Sequence, residues 1–327
     1  MSRICLYFRP LPERDRWVAG DRFVRPYIRR MIRGRPRPGG VDKVFINLCL
    51  GLNRLRVPYT INLPFREIKG GDRVGVIGCG RHVLAGYDRP NPIVAGVAMM
   101  SHPSAWPSFC DEYPVAAYLQ HSAWASDVYR PYFGDRVRIW PVGIDTDTWR
   151  PVSRGKPEFD FLIYDKVMWN RQESPLVSQI SKELEKRGLT FSTISYGNYD
   201  ENRYKLALSQ CRYMVFLCEH ESQGLAYLEA LASGVPVLAW DQGWCLDPDR
   251  YSWGQPDIPA TSVPYFDDRC GLRFADLDEF SRRMDEFLDC DRDGRFAPRS
   301  YVLENLTVEA CSGRYVELLN GAAGCGL

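Results

Sequence analysis

Along most of the chain, short apolar runs alternate with segments whose apolar residues recur every three to four positions. The runs predict strands at Ile4–Phe8, Tyr59–Leu63, Arg73–Cys79, Ile93–Met99, Val115–Gln120 and Val137–Trp140. After a stretch rich in Pro, Gly and charge, Pro151–Pro157, a second set follows at Phe159–Asp165, Phe191–Tyr196, Tyr213–Cys218 and Val235–Trp240, with a weaker run at Val263–Phe266. Between the strands, Val41, Val44, Phe45, Leu48, Leu52 and Leu55 make one stripe of a helix over Val41–Leu55. Helical spacing also marks Pro175–Arg187, Glu201–Gln210, Gly224–Ser233 and Leu303–Leu319. The pattern does not say whether the last of these packs on the second set of strands or crosses back to the first. Strands alternating with helices predict parallel sheets covered on both faces. The break at 151–157 divides them into two α/β halves, residues 1–150 and 151–327.

Composition agrees with two packed domains. A chain of 327 residues exceeds the usual size of one core, and 45% hydrophobic with 13% aromatic residues argues against disorder. Eleven cysteines show no Cys-x-x-Cys pair and no metal-type spacing, and the chain carries no signal-peptide pattern. They are expected to be reduced thiols in a cytoplasmic protein with no metal site. Charge is less even. Net charge is +1, yet residues 1–40 hold eleven arginines against Glu13, Asp15 and Asp21, so +8 there leaves −7 elsewhere. Within Arg22–Arg33, Phe23, Tyr27 and Met31 recur at i, i+4 and i+8, with Arg22, Arg25, Arg29 and Arg33 on another flank. This basic amphipathic pattern, extended by Arg35 and Arg37, suits peripheral contact with an anionic membrane or an anionic acceptor, as well as ordinary packing with solvated arginines outside. No apolar run approaches the roughly 18 residues that span a bilayer.

The chemistry concentrates in Glu221-Ser-Gln-Gly-Leu-Ala-Tyr-Leu-Glu229-Ala-Leu-Ala-Ser-Gly-Val-Pro-Val237. A separation of eight returns to nearly the same helix face, so Glu221 at the helix start and Glu229 inside it can converge on one ligand. The alternative is a solvated helix face. The segment follows a strand, and in open parallel sheets ligands bind beyond the strands' carboxyl ends, where free amides such as those of Ser222, Gly224 and Leu225 can hold a phosphate.

This string resembles the signature of the retaining GT-B glycosyltransferases of the group-1, or GT4-like, family. Gly224-Leu225, both glutamates, Ala230, Gly234, Pro236 and Val237 match it, while Ser222-Gln223 replaces the family's Gly-Phe. The resemblance implies a GT-B fold, two Rossmann-like α/β/α domains facing each other across a cleft. It also implies transfer of a sugar from a nucleoside-diphosphate sugar, the donor, to an unknown acceptor, without cofactor or metal. In the family the first Glu contacts the donor sugar and the second the ribose hydroxyls, roles that fall here to Glu221 and Glu229. Lys166 and Arg171, five apart after the first strand of the second half, match in exchanged order the family's two cations that neutralise the donor diphosphate. Gly39-Gly40, before the first long helix, is similar to the family's glycine loop near the donor, and His102 stands where a family strand often ends in a catalytic cleft histidine. Ile139-Trp-Pro-Val-Gly143-Ile-Asp145 looks like the segment that closes the first domain.

Other readings are weaker. Gly78-Cys-Gly80 opens a dinucleotide-type fingerprint, but Val83 takes its third glycine position and no acidic residue stands near 98 for a ribose. GT-B architecture also serves epimerases and non-catalytic sugar-nucleotide binders, which would keep part of the glutamate pair. A nucleic-acid partner for the basic N-terminus is not expected.

Overall fold

The computed structural model describes residues 2–9, 39–78, 80–152, 157–169 and 175–324. The first half builds a six-stranded parallel sheet from β1 (Ile4–Tyr7), β2 (Tyr59–Ile61), β3 (Arg73–Ile77), β4 (Ile93–Gly96), β5 (Val115–Gln120) and β6 (Val137–Ile139). Its order is β2-β1-β3-β4-β5-β6. Helices α1 (Gly40–Arg54), α2 (Phe109–Glu112) and α3 (Ala123–Phe133) belong to this half. The second half builds a five-stranded parallel sheet from β7 (Phe159–Lys166), β8 (Phe191–Ser195), β9 (Cys211–Cys218), β10 (Val237–Trp240) and β11 (Gly271–Phe274), in the order β11-β10-β9-β7-β8. Around it lie α4 (Leu176–Lys186), α5 (Glu201–Gln210), α6 (Leu225–Ala232) and α7 (Leu277–Arg292), followed by α8 (Pro298–Asn305) and α9 (Val308–Gly324).

Strands covered on both faces carry near-continuous apolar runs, which is why β1 is wholly buried and β9 is buried at seven of its eight positions. Apolar cores lie on both faces of each sheet. The strand order reverses between β1 and β3 in one sheet and between β7 and β9 in the other, and such switch points open a crevice at the carboxyl ends. The β7–β9 register sets Lys166 opposite Cys218, so whatever follows Cys218 in sequence meets Lys166 in space.

Residues 303–319 do not form one helix. The chain breaks at Leu306-Thr307, where Thr307 bridges Ile144, and α9 then packs on α1 and on β3, β4 and β5 of the first sheet. Tyr315 and Leu319 are buried there with Leu48 and Leu52, and Gly51 is required at the crossing, because a Cβ on it would lie 2.1 Å from Ser312 Oγ.

The weak run Val263–Phe266 is not a strand. Pro264 lacks an N–H for a ladder, and the edge strand forms at Gly271–Phe274 instead. Helices α3 and α7 stand where the hydrophobic pattern names none. No helix among the described residues is long and apolar enough to cross a membrane. The basic segment 22–37 lies outside the described residues.

Candidate functional site

Between the two sheets lies a cavity of about 860 Å³, lined from both halves. Its floor is the loop from β9 to α6. Gly224 caps α6 with φ +78°, a left-handed conformation that suits glycine, and a Cβ there would lie 2.1 Å from the Tyr227 ring. Gln223, at the position where the resemblance has Phe, turns inward. Its amide accepts from Val142 N–H at 2.9 Å and donates to Val142 O at 3.2 Å, fixing the loop to the segment that leaves the first sheet. Glu221 N–H donates to Thr261 O at 3.0 Å, and Trp124 Nε1 on α3 donates to Glu221 O at 2.9 Å.

Lys166 at the end of β7 forms an ion pair with Glu221 and lies 4.8 Å from the centre of the Tyr196 ring. Burial works against its charge, but Glu221 outweighs burial and the Lys166 pKa stands above the ordinary lysine value. The turn after Lys166 is held by a third carboxylate, Glu219, which accepts from Met168 N–H and Trp169 N–H, both at 2.9 Å. Burial raises the Glu219 pKa despite those amides. His220 beside it stacks on Trp169 with ring centres 5.1 Å apart, and burial drives its pKa down to about 4, so it is neutral near pH 7.

Glu229 is 4% exposed, within a helix buried from Tyr227 to Ala232, which excludes a solvated helix face. Its partner comes from the other half. Lys43 on α1 reaches Glu229 Oε1 at 2.9 Å and Glu201 at 3.8 Å. Burial raises the Glu229 pKa to about 7, against the pull of Lys43. Gly39 and Gly40 open α1 onto the same cavity, and Asp42 accepts from Gly39 N–H at 2.7 Å in a capping arrangement.

Glu221, Ser222, Gly224, Leu225, Glu229, Lys166, Gly39 and Gly40 therefore share one cavity. His102 does not join them. It is 1% exposed, with Nδ1 2.8 Å from Ser104 Oγ and its ring stacked at 4.7 Å on Trp253, and it is not among the residues that line the cavity. Arg171 lies outside the described residues. Lys43 and Gln223 on the cavity, and Glu219 behind the turn after Lys166, are residues that sequence reasoning passes over. Lys43 had one signal, its place one turn behind Gly39-Gly40, and Glu219 another, its place two residues before Glu221.

Residues 152–247 match the model of the glycosyl transferases group 1 family, a span that contains Lys166, Glu221 and Glu229. No curated protein matches the chain in sequence. Among solved structures, AviGT4, a glycosyltransferase involved in avilamycin A biosynthesis, is similar at 14% identity and a TM-score of 0.61, over 99% of this chain and 98% of that one. Sucrose-phosphate synthase from Thermosynechococcus elongatus is similar at 13% identity and a TM-score of 0.54, over 99% and 100%. The pneumococcal O-GlcNAc transferase GtfA, solved with UDP and GlcNAc, is similar at 14% identity and a TM-score of 0.51, over 77% of this chain and 57% of that one. What they share with this chain is the fold: two Rossmann-like α/β domains facing each other, the GT-B arrangement.

Proposed function

We propose that the protein transfers a glycosyl group from a nucleoside-diphosphate sugar to an acceptor hydroxyl with retention of anomeric configuration. The observation that carries this reading is the placement of Lys166, Glu221 and Glu229 in one cavity, at the β7–β9 switch point and inside the segment that matches the group 1 family. Glu229 accepts hydrogen bonds from the ribose hydroxyls, and Glu221 accepts from hydroxyls of the donor sugar. Lys166, with Arg171, neutralises the diphosphate, while free amides at the start of α6 and behind Gly39-Gly40 add a positive field. The bond from the anomeric carbon to the phosphate oxygen breaks, a bond to the acceptor oxygen forms on the same face, and the acceptor hydroxyl's proton passes to the departing phosphate oxygen. The cations and amides stabilise the departing nucleoside diphosphate, so the transfer needs no metal. Closure of the two domains excludes water and limits hydrolysis of the donor.

Calorimetry with UDP, GDP, ADP and dTDP, and with their nucleosides, tests the donor site. One diphosphate is expected to bind, and Lys166→Ala to weaken it more than its nucleoside. Equal loss for both would remove Lys166 from the phosphates. Transfer that stops in excess chelator and returns with Mg²⁺ or Mn²⁺ would refute the metal-free part. An inverted product, read from the anomeric proton by NMR, would refute retention.

A further inference from the structure

The charged and apolar parts of the cavity wall come from different elements. Lys43, Lys166, Asp200, Glu201, Glu221 and Glu229 gather where β7, α1, α5 and α6 meet. A second part of the wall is built otherwise. Val97 and Met100 leave β4, Trp124 and Val128 come from α3, and Trp253 and Ile258 come from the segment after β10. Four of these belong to one apolar cluster that crosses the domain boundary, in which Trp124, Val128 and Trp253 pack on Cys245, Ile258 and Ala260. The two histidines on the cavity, His121 and His220, are both driven by burial to pKa values of about 4, so neither adds charge near pH 7. Asp247 is the one formal charge in the described part of this wall.

The wall is also held in a costly shape. Val97 and Ala98 have φ of +38° and +65°, a region that a β-branched residue seldom enters. Such strain persists only where surrounding contacts enforce it, and it gathers at functional sites. Here Val97 N–H donates to Leu119 O at 3.1 Å and Tyr129 OH to Met100 O at 2.7 Å, so the loop is fixed from two sides. The result is a wall with the small, exposed Ala98 beside apolar neighbours. Trp124 joins this wall to the chemistry, since its indole N–H is spent on Glu221 O.

We infer that the acceptor is a hydroxyl-bearing apolar ring compound, its ring body held by Val97, Met100, Val128, Trp253 and Ile258 while its hydroxyl points toward Glu221. The inference rests on the glycosyl-transfer reading above. Aromatic side chains present broad apolar faces to a flat body, and the five side chains named offer the hydroxyls of a sugar acceptor no hydrogen-bonding group beyond the Trp253 indole N–H and the weakly accepting Met100 sulfur.

The test is binding to the full chain of phenol, 4-propylphenol and 2-naphthol, with maltose as the hydroxyl-rich contrast, in the presence of the nucleoside diphosphate that binds. Affinity should rise about fourfold per added methylene-sized apolar group from phenol to 4-propylphenol, and 2-naphthol should bind saturably at one site. Val128→Lys, from one domain, and Trp253→Ala, from the other, should each weaken 2-naphthol at least tenfold and leave the nucleoside diphosphate affinity unchanged. That unchanged affinity shows that each variant is folded. Failure of 2-naphthol to bind, an affinity for it in both variants equal to that of the unmodified protein, or maltose binding in its place would overturn the inference with the donor site intact. If no nucleoside diphosphate binds the unmodified protein, the glycosyl-transfer reading falls, and the assignment of this wall to an acceptor falls with it.

Discussion

Glu229 shows how much one carboxyl can report. Its pKa is raised from 4.5 to about 7, first by burial, with Glu201 adding to the rise while Lys43 and Lys205 oppose it. A carboxyl with a raised folded pKa keeps a proton that the unfolded chain has already released, so stability falls as pH climbs from the unfolded to the folded value. Over that window the loss is on the order of 3 kcal/mol. His121 and His220, whose pKa values burial lowers to about 4, add stability over much of the same range, so the Glu229 contribution is read as a difference. In thermal unfolding, the melting temperature of Glu229→Gln relative to that of the unmodified protein should rise as pH climbs from about 4.5 to about 7, while Lys43 retains Glu201 at 3.8 Å. The ionised carboxylate is the better acceptor for ribose hydroxyls, so donor affinity should rise through the same window. Lys43→Met removes the largest opposing influence and should move that rise to higher pH. A donor affinity independent of pH in both proteins would take Glu229 out of the binding site. Glu229→Ala should chiefly weaken donor binding and Glu221→Ala chiefly lower turnover, each losing charge-assisted hydrogen bonds worth about 1.5–3 kcal/mol. Affinity and turnover unchanged in both would end the assignment.

At the scale of elements, the loop after β7 depends on a residue that need not touch a ligand. Glu219 gathers the amides of Met168 and Trp169 and so sets the direction in which the chain leaves Lys166. Glu219→Ala leaves those amides without that acceptor, at about 1–3 kcal/mol of stability, and should weaken nucleoside diphosphate binding. Glu219→Gln keeps a carbonyl oxygen in place and should restore part of both. Binding lost equally in the Gln and Ala variants would mean that the charge, not the positioning, matters. The same comparison of local and distant forces explains what was legible in the sequence. β5 and α5 run over the predicted residues, because a buried strand and a capped helix announce themselves locally. α3 hides behind Pro131 in its last turn, where a missing N–H reads as a break. In α7 nine of sixteen residues are charged, which masks the buried stripe Phe280, Met284 and Phe287. The two glutamates and Lys166 could be named from spacing and resemblance. The Gln223 clasp on Val142 and the Lys43–Glu229 pair could not, since each joins residues that only the packed fold brings together.

At the scale of the whole molecule, the two domains are joined by two crossings that lean on each other. The segment after β6 carries Trp140, whose Nε1 donates to Cys311 O at 2.9 Å, and Ile144, whose N–H donates to Leu306 O at 2.8 Å. Arg299 binds the carbonyls of Thr146 and Trp149 from the other crossing at 3.1 and 2.9 Å. Any closing motion of the cavity has to turn about this paired strap, because the chain passes between the sheets here on the way out and again on the way back. Gly143 is its tightest point. A Cβ added there would lie 2.3 Å from Val308 Cα and 2.5 Å from Thr307 O, and both are backbone atoms that no rotamer change can move aside. Gly143→Val should therefore force the two crossings apart, destabilising the fold by about 1–3 kcal/mol through overpacking. Gly134→Ala supplies the contrast, because its φ of +56° carries backbone strain with nothing within 4 Å of the new Cβ and no contact with the strap. Both variants should lower the melting temperature. Only Gly143→Val should also change donor turnover measured well below its melting point, since the Lys43–Glu229 pair spans the domains that the strap aligns. Turnover unchanged in a folded Gly143→Val protein would show that the strap holds the chain together without setting the geometry of the cavity.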